Sequence, residues 1–209
     1  DGDAGSTVVV NKGLPSLKDT EVDIPVKQAL RSRAFWHMAL AMMCQFMVIN
    51  TVLIHVMPYL SSIGIARSNS SLVASAITVI SICGRLSFGW LGDRLEKRRV
   101  TAATFALTTL GLLFFSYAAN GRIWLLIPFT ILFGMGFGGH VTMLSALLSE
   151  YFGRNRFGTI YGFIFGIMQL GGTIGAPLAG WVFDKWSSYQ GIWLAFAGLC
   201  LASVVIMAS

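Results

Sequence analysis

Read end to end, the 209-residue chain alternates long apolar runs with short polar breaks. Six runs lie near residues 34–58, 70–90, 100–119, 123–148, 157–182 and 191–209. A helix needs about 20 mostly apolar residues to cross a hydrocarbon core, and each run is near or above that length. None alternates in the manner of a barrel strand, and backbone in lipid must satisfy its own hydrogen bonds, so every run predicts a helix. Pro58 marks the end of the first. The expected fold is all-α, a polytopic membrane protein whose six transmembrane helices form one bundle over 34–209. Residues 1–33 differ. They carry Asp1, Asp3, Lys12, Lys18, Asp19, Glu21, Asp23, Lys27, Arg31 and Arg33, and they read as a polar tail without a signal-peptide core. The first residue is Asp rather than Met, so the chain reads as beginning inside a longer protein.

Composition agrees with lipid as a partial solvent. Charged residues make up 11% of the chain and hydrophobic ones 55%, with a mean hydropathy of +0.71. A soluble domain would carry about a quarter charged residues. The net charge of +6 does not imply nucleic acid, because the basic residues sit between apolar runs rather than on a continuous patch. Their distribution sets topology instead. If the tail is cytoplasmic, its five Lys and Arg share that side with Arg94, Lys97, Arg98, Arg99, Arg154 and Arg156. Only Arg67, Arg122 and Lys185 fall on the other side. That asymmetry places both termini in the cytoplasm, by the positive-inside rule. All six Trp lie near span ends, where interfacial aromatics belong. Cys44, Cys83 and Cys200 have no paired or metal-type spacing and read as small core residues.

Polar residues within the spans are the candidates for function. Ser71, Ser75, Thr78, Ser81 and Arg85 fall within about 120° of one helix face. A polar stripe ending in a charge is unfavourable against lipid and is expected to face the bundle interior or water, although single hydroxyls can bond back to their own helix. Arg85 is the one Lys, Arg, Asp or Glu well inside a span, about 12 Å along the helix from Asp93. It can snorkel to the headgroups, or present its planar donor fork to an anionic substrate. The first span places His37, Gln45, Thr51 and His55 on another shared arc. His55 can bind substrate, relay protons or serve as a structural histidine. Gln45 and His140 are further cavity candidates, and His140 reads equally well as core. Gly158, Gly162, Gly166, Gln169, Thr173, Ala176 and Gly180 line a narrow face of the fifth span, where small residues allow close helix packing. Gly134, Gly136 and Gly139 match a G-x-G-x-x-G fingerprint only formally, since no soluble strand precedes them. No cofactor or metal is expected.

Between the second and third spans, the hairpin Gly89–Val100 reads Gly-Trp-Leu-Gly-Asp-Arg-Leu-Glu-Lys-Arg-Arg-Val. It resembles the cytoplasmic signature of the major facilitator superfamily, G-x-L-a-D-R-x-G-R-[RK], at Gly89, Leu91, Asp93, Arg94, Lys97 and Arg98. It departs at Glu96, where the family usually has Gly, and Lys97 replaces an Arg. Further along, His55-Val-Met-Pro58-Tyr, Gly84-Arg85-x-x-x-Gly89, Glu150-Tyr-Phe-Gly-Arg154, Phe157-Gly158-x-x-Tyr161-Gly162 and Gly175-Ala-Pro177-x-x-Gly180 follow in order. Together they resemble the oxalate/formate antiporter and monocarboxylate transporter branch.

The resemblance implies one half of a major facilitator fold, the C-terminal six helices, with residues 1–33 as the end of a central loop. It implies a secondary transporter of a small organic anion, working by alternating access with proton symport or anion exchange. Arg85 occupies the position of a substrate-binding Arg. The fifth span has no Lys, which favours a monocarboxylate over a dicarboxylate. Gly89, Asp93, Arg94, Lys97, Arg98, Glu150 and Arg154 are the implied conformational gate. The expected partners are the anionic substrate, protons, the bilayer of the cell membrane, and either a missing N-terminal half or a second copy. A six-span channel or receptor is the alternative, but it would need a filter or a ring of pore charges, and neither is visible. The chain has no H-E-x-x-H or G-x-S-x-G, so an enzyme is not expected.

Overall fold

A computed structural model describes residues 26–118, 122–153 and 155–208. Its helices are α1 (Val26–Arg31), α2 (Arg33–Ser62), α3 (Arg67–Arg94), α4 (Lys97–Tyr117), α5 (Leu126–Phe152), α6 (Phe157–Trp186) and α7 (Gln190–Ala208), with a 3-10 turn, Ile123–Leu125, leading into α5. Six of these elements are long and apolar enough to span a membrane, the fourth being the 3-10 turn together with α5. The short α1 lies within the segment read as a polar tail. Ser32 then caps α2, its hydroxyl accepting from the Phe35 N–H at 3.1 Å and donating to the Ala29 carbonyl at 2.8 Å.

The helices run past the apolar runs by a few residues, because a helix ends where its backbone is capped rather than where hydrophobicity stops. Pro58 shows this as a correction. It lies inside α2, which continues to Ser62. Pro removes a single backbone donor, and the turn beyond it closes through Ile63 N–H to Tyr59 O at 3.2 Å and Ile65 N–H to Leu60 O at 3.0 Å. Gly64, at φ +83°, then reverses the chain in a conformation that side chains resist. At the other end of the bundle only Leu95 and Glu96 join α3 to α4. Glu96 sits at φ −56°, ψ 114°, so this turn needs no left-handed residue where the family signature has Gly.

Helix α2 packs against α6 and α7, α4 against α5 and α7, and α3 against α5, with lesser contacts of α2 to α3 and α5 to α6. The core has two main parts. Near the α3–α4 hairpin, Phe35, Met38, Phe105, Leu144, Leu147 and Ile164 pack together. Toward the other end an aromatic cluster joins Tyr59, Phe115, Phe129, Tyr189 and Trp193. Tyr59 lies 4.4 Å from Phe115 by ring centroids, and Phe115 lies 4.2 Å from Phe129. Trp193 therefore corrects the interfacial reading of the six Trp: it is fully buried, whereas the other five are exposed. Its ring is held by Tyr59, Phe115 and Tyr189, and among the described residues its indole N–H has no hydrogen-bond partner. Of the cysteines, Cys200 is buried, Cys44 half-buried and Cys83 exposed, so the core reading does not hold for Cys83.

Glycines set the closest helix crossings. A Cβ on Gly138 would fall onto the Ser81 carbonyl, and one on Gly84 onto the backbone of Met135. This brings α3 and α5 into near-backbone contact. On α6 the packed glycines are Gly171, Gly172 and Gly175, against Met43, Phe46, Met47 and Thr51 of α2. The predicted face at Gly158, Gly162 and Gly166 has nothing within 4 Å. The sequence pattern found a small-residue face that meets His55 of α2 at Ala176 and Gly180, while the tightest contact to α2 uses the neighbouring one.

Candidate functional site

Arg85 projects from a helix whose backbone is fixed immediately beneath it. The Gly84 and Gly138 crossing holds α3 against α5, and Thr142 of α5 lies with its hydroxyl 3.5 Å from the Arg85 carbonyl. The side chain itself is exposed and has no ion-pair partner among the described residues. Ser71, Ser75 and Thr78 are exposed on the same helix, whereas Ser81 turns into the α5 contact. Ser71, Thr78 and Ser81 donate back to the carbonyls of Ser68, Ala74 and Thr78. Each hydroxyl thus meets its own donor requirement while its oxygen lone pairs stay available.

His55 is a bridging residue. Its Nε2 lies 3.0 Å from the Ala176 carbonyl and its Nδ1 lies 3.2 Å from the Tyr189 hydroxyl. A carbonyl can only accept, so Nε2 carries the proton and Nδ1 accepts from Tyr189. Burial pushes the Tyr189 phenol above its ordinary range, and the Asp184 carboxylate adds to the shift, so the phenol stays a donor through neutral pH. The carbonyl that His55 reaches belongs to the residue before Pro177, which lies inside α6.

The remaining polar candidates point elsewhere. Gln45 is fully buried, its amide 3.4 Å from the Cys200 carbonyl of α7. His140 is buried beside Phe105, and among the described residues neither ring nitrogen has a hydrogen-bond partner. Among the described residues no hydrogen bond, ion pair or ring contact joins Arg85, His55, Gln45 and His140 to one another. Sequence reasoning missed Tyr189 and Asn50, whose amide donates to the Gly172 carbonyl at 3.2 Å. Both act across helices, and neither breaks an apolar run strongly enough to stand out.

The gate candidates do converge on the hairpin end. Lys97, at the start of α4, pairs with Glu150, near the end of α5, at 2.5 Å. Arg98 donates from Nε to the Met207 carbonyl at 2.8 Å, closing the last turn of α7 with a cation where the helix dipole is negative. Arg94 stacks 4.0 Å over the Trp90 ring. Gly89 faces the Thr142 methyl across the α3–α5 contact. Asp93 is exposed and makes no ion pair among the described residues, and Arg154 lies outside them.

The family model for the Major Facilitator Superfamily matches residues 38–209, most of the chain and all six spanning elements. The chain belongs to the major facilitator superfamily. Its six helices form one half of that fold. Monocarboxylate transporter 12 from Rattus norvegicus is 27% identical over 156 residues, covering 74% of this chain and 32% of that protein. Inorganic phosphate transporter 1-1 from Arabidopsis thaliana is 32% identical over 124 residues, covering 54% of this chain and 24% of that one. The chain thus spans about a third or less of the length of these relatives. The Escherichia coli fucose:proton symporter FucP superimposes with a TM-score of 0.69 at 20% identity, over 88% of this chain and 45% of that structure. That likeness shows the fold. As a major facilitator protein with six spanning helices, the chain is a multi-pass membrane protein.

Proposed function

We propose that this chain is the C-terminal half of a secondary transporter that moves a small organic anion, a monocarboxylate, by alternating access without covalent chemistry. The observation that carries this reading is Arg85, a cation with no ion-pair partner among the described residues on an exposed face of α3, with its backbone fixed by a glycine crossing onto α5. A guanidinium in the low-dielectric part of a membrane protein is unfavourable unless it meets an anion, and its fork matches a carboxylate. The likeness to monocarboxylate transporter 12 agrees. Inorganic phosphate is the second reading, because the phosphate transporter relative shares the chain at higher local identity and phosphate suits the same fork. Nothing favours a channel.

The cavity in this reading forms between α3 and α6 of this chain and a second six-helix unit. That unit is an N-terminal half or another copy, and residues 1–33 are the end of the loop leading into this half. The open glycine face of α6 and the exposed polar flank of α3 support it. The basic hairpin sits in the cytoplasm of a cell-membrane protein with both termini inside, and a proton or a counter-anion drives the cycle. Uptake of labelled lactate and phosphate into proteoliposomes tests the proposal. Arg85→Ala is expected to abolish uptake of the preferred anion with insertion intact, and normal uptake by a well-inserted Arg85→Ala protein would remove it.

A further inference from the structure

At the hairpin end a cavity of about 310 Å³ opens among α2, α4, α5 and α7. Its polar side holds Arg98, His37 and Tyr151, and its apolar side holds Met38, Leu147 and Met207. Among the described residues no carboxylate lines it. The volume is at the lower end of small-ligand sites, which run from about 300 to 1,000 Å³.

Arg98 is oriented for a ligand. Its Nε is committed to the Met207 carbonyl, which fixes the guanidinium plane. The remaining guanidinium N–H groups bond to no described residue, and the neighbouring carboxylates are engaged elsewhere, Glu150 with Lys97 and Glu96 with Arg99. Capping α7 explains one donor of the fork; it does not explain a half-buried cation left uncompensated beside an apolar wall. Arg85 lies on α3, which contributes nothing to this cavity.

We infer that the cavity binds an amphipathic anion, with a carboxylate or phosphate head on Arg98 and an apolar tail along Met38 and Leu147. It is a second anion site at the hairpin end, separate from the transport site. It adjoins the Lys97–Glu150 pair, so an occupant there would bias the gate. The head can come from a free anion or from an acidic lipid.

Both sources are tested on the purified protein in phosphatidylcholine nanodiscs, by following thermal unfolding with octanoate or octanol, and by native mass spectrometry after release from discs containing phosphatidylglycerol. Octanoate is expected to raise the unfolding midpoint where octanol does not. Arg98→Gln is expected to weaken the effect at least about tenfold, the worth of one charge-assisted hydrogen bond. Arg98→Lys should keep much of it, and Arg85→Ala should keep the part that Arg98→Gln removes, which separates this site from the transport reading. Should Arg98→Gln fail to fold, Ala34→Trp fills the cavity while leaving the charge, and it should abolish the effect. Arg98-dependent retention of phosphatidylglycerol without an octanoate effect would assign the head to lipid. The inference is overturned if neither ligand binds, or if both bind Arg98→Gln and Ala34→Trp as they bind the unaltered protein.

Discussion

The imidazole of His55 ties three parts of the chain together, donating to Ala176 O beside Pro177 within α6 and accepting from Tyr189 before α7. Tyr189→Phe removes one interhelical hydrogen bond and leaves Nδ1 without its donor. Such bonds in membrane proteins are worth about 0.6 kcal/mol on average and up to about 1.7, and that range of destabilisation is expected in SDS titration. The Tyr189 pKa is raised, so this contribution is complete below the ordinary phenol pKa of about 10 and is lost only as pH rises beyond it. Stability differences between the two proteins should be flat from about pH 8 to about 9, where a neutral imidazole can accept from the phenol.

The glycine crossing between α3 and α5 predicts a sharp positional contrast. Gly138→Ala must push the Ser81 carbonyl away and is expected to destabilise by about 1–3 kcal/mol, as overpacking does. Gly166→Ala meets nothing within 4 Å and should leave the stability of these six helices unchanged. Unfolding curves of the two variants check this. If Gly166→Ala nevertheless blocks transport, the open face of α6 is a working surface between halves.

His140→Phe should be neutral or stabilising by up to about 1 kcal/mol. The imidazole is buried without a hydrogen-bond partner among the described residues, and an aromatic ring of similar shape against Phe105 removes two unsatisfied nitrogens. Retained uptake in this variant would assign His140 to the core. Lost uptake with unchanged stability would return it to the transport pathway.

Lys97 and Glu150 are both partly exposed, so the pair should contribute no more than about 1 kcal/mol to stability. Its effect belongs in the conformational cycle. Either Lys97→Glu or Glu150→Lys alone is expected to slow transport, and the exchanged pair to recover part of the rate. Recovery should shrink as salt is raised, because an exposed pair is screened.

The six spans, their class and the family were legible in the residues alone. Hydrocarbon leaves helices as the means of hiding backbone polarity, so apolar runs such as those around Cys44 and Cys200 could only become spanning helices. The hairpin signature was equally legible, because Asp93, Arg94, Lys97 and Arg98 are a local charge pattern that needs no folding to be seen. What tertiary structure decided was the direction of each side chain. Gln45 and His55 share an arc of one helix, yet Gln45 turns to Cys200 and His55 to Tyr189 and Ala176, because different neighbours pack along α2. The same holds for the two glycine faces of α6: Gly171, Gly172 and Gly175 pack tightly on α2, whereas Gly158, Gly162 and Gly166 meet nothing within 4 Å. Helical periodicity states which residues lie together on a face. Which face meets a partner depends on contacts between segments more than a hundred residues apart, such as Gln45 and Cys200, and no local pattern encodes them.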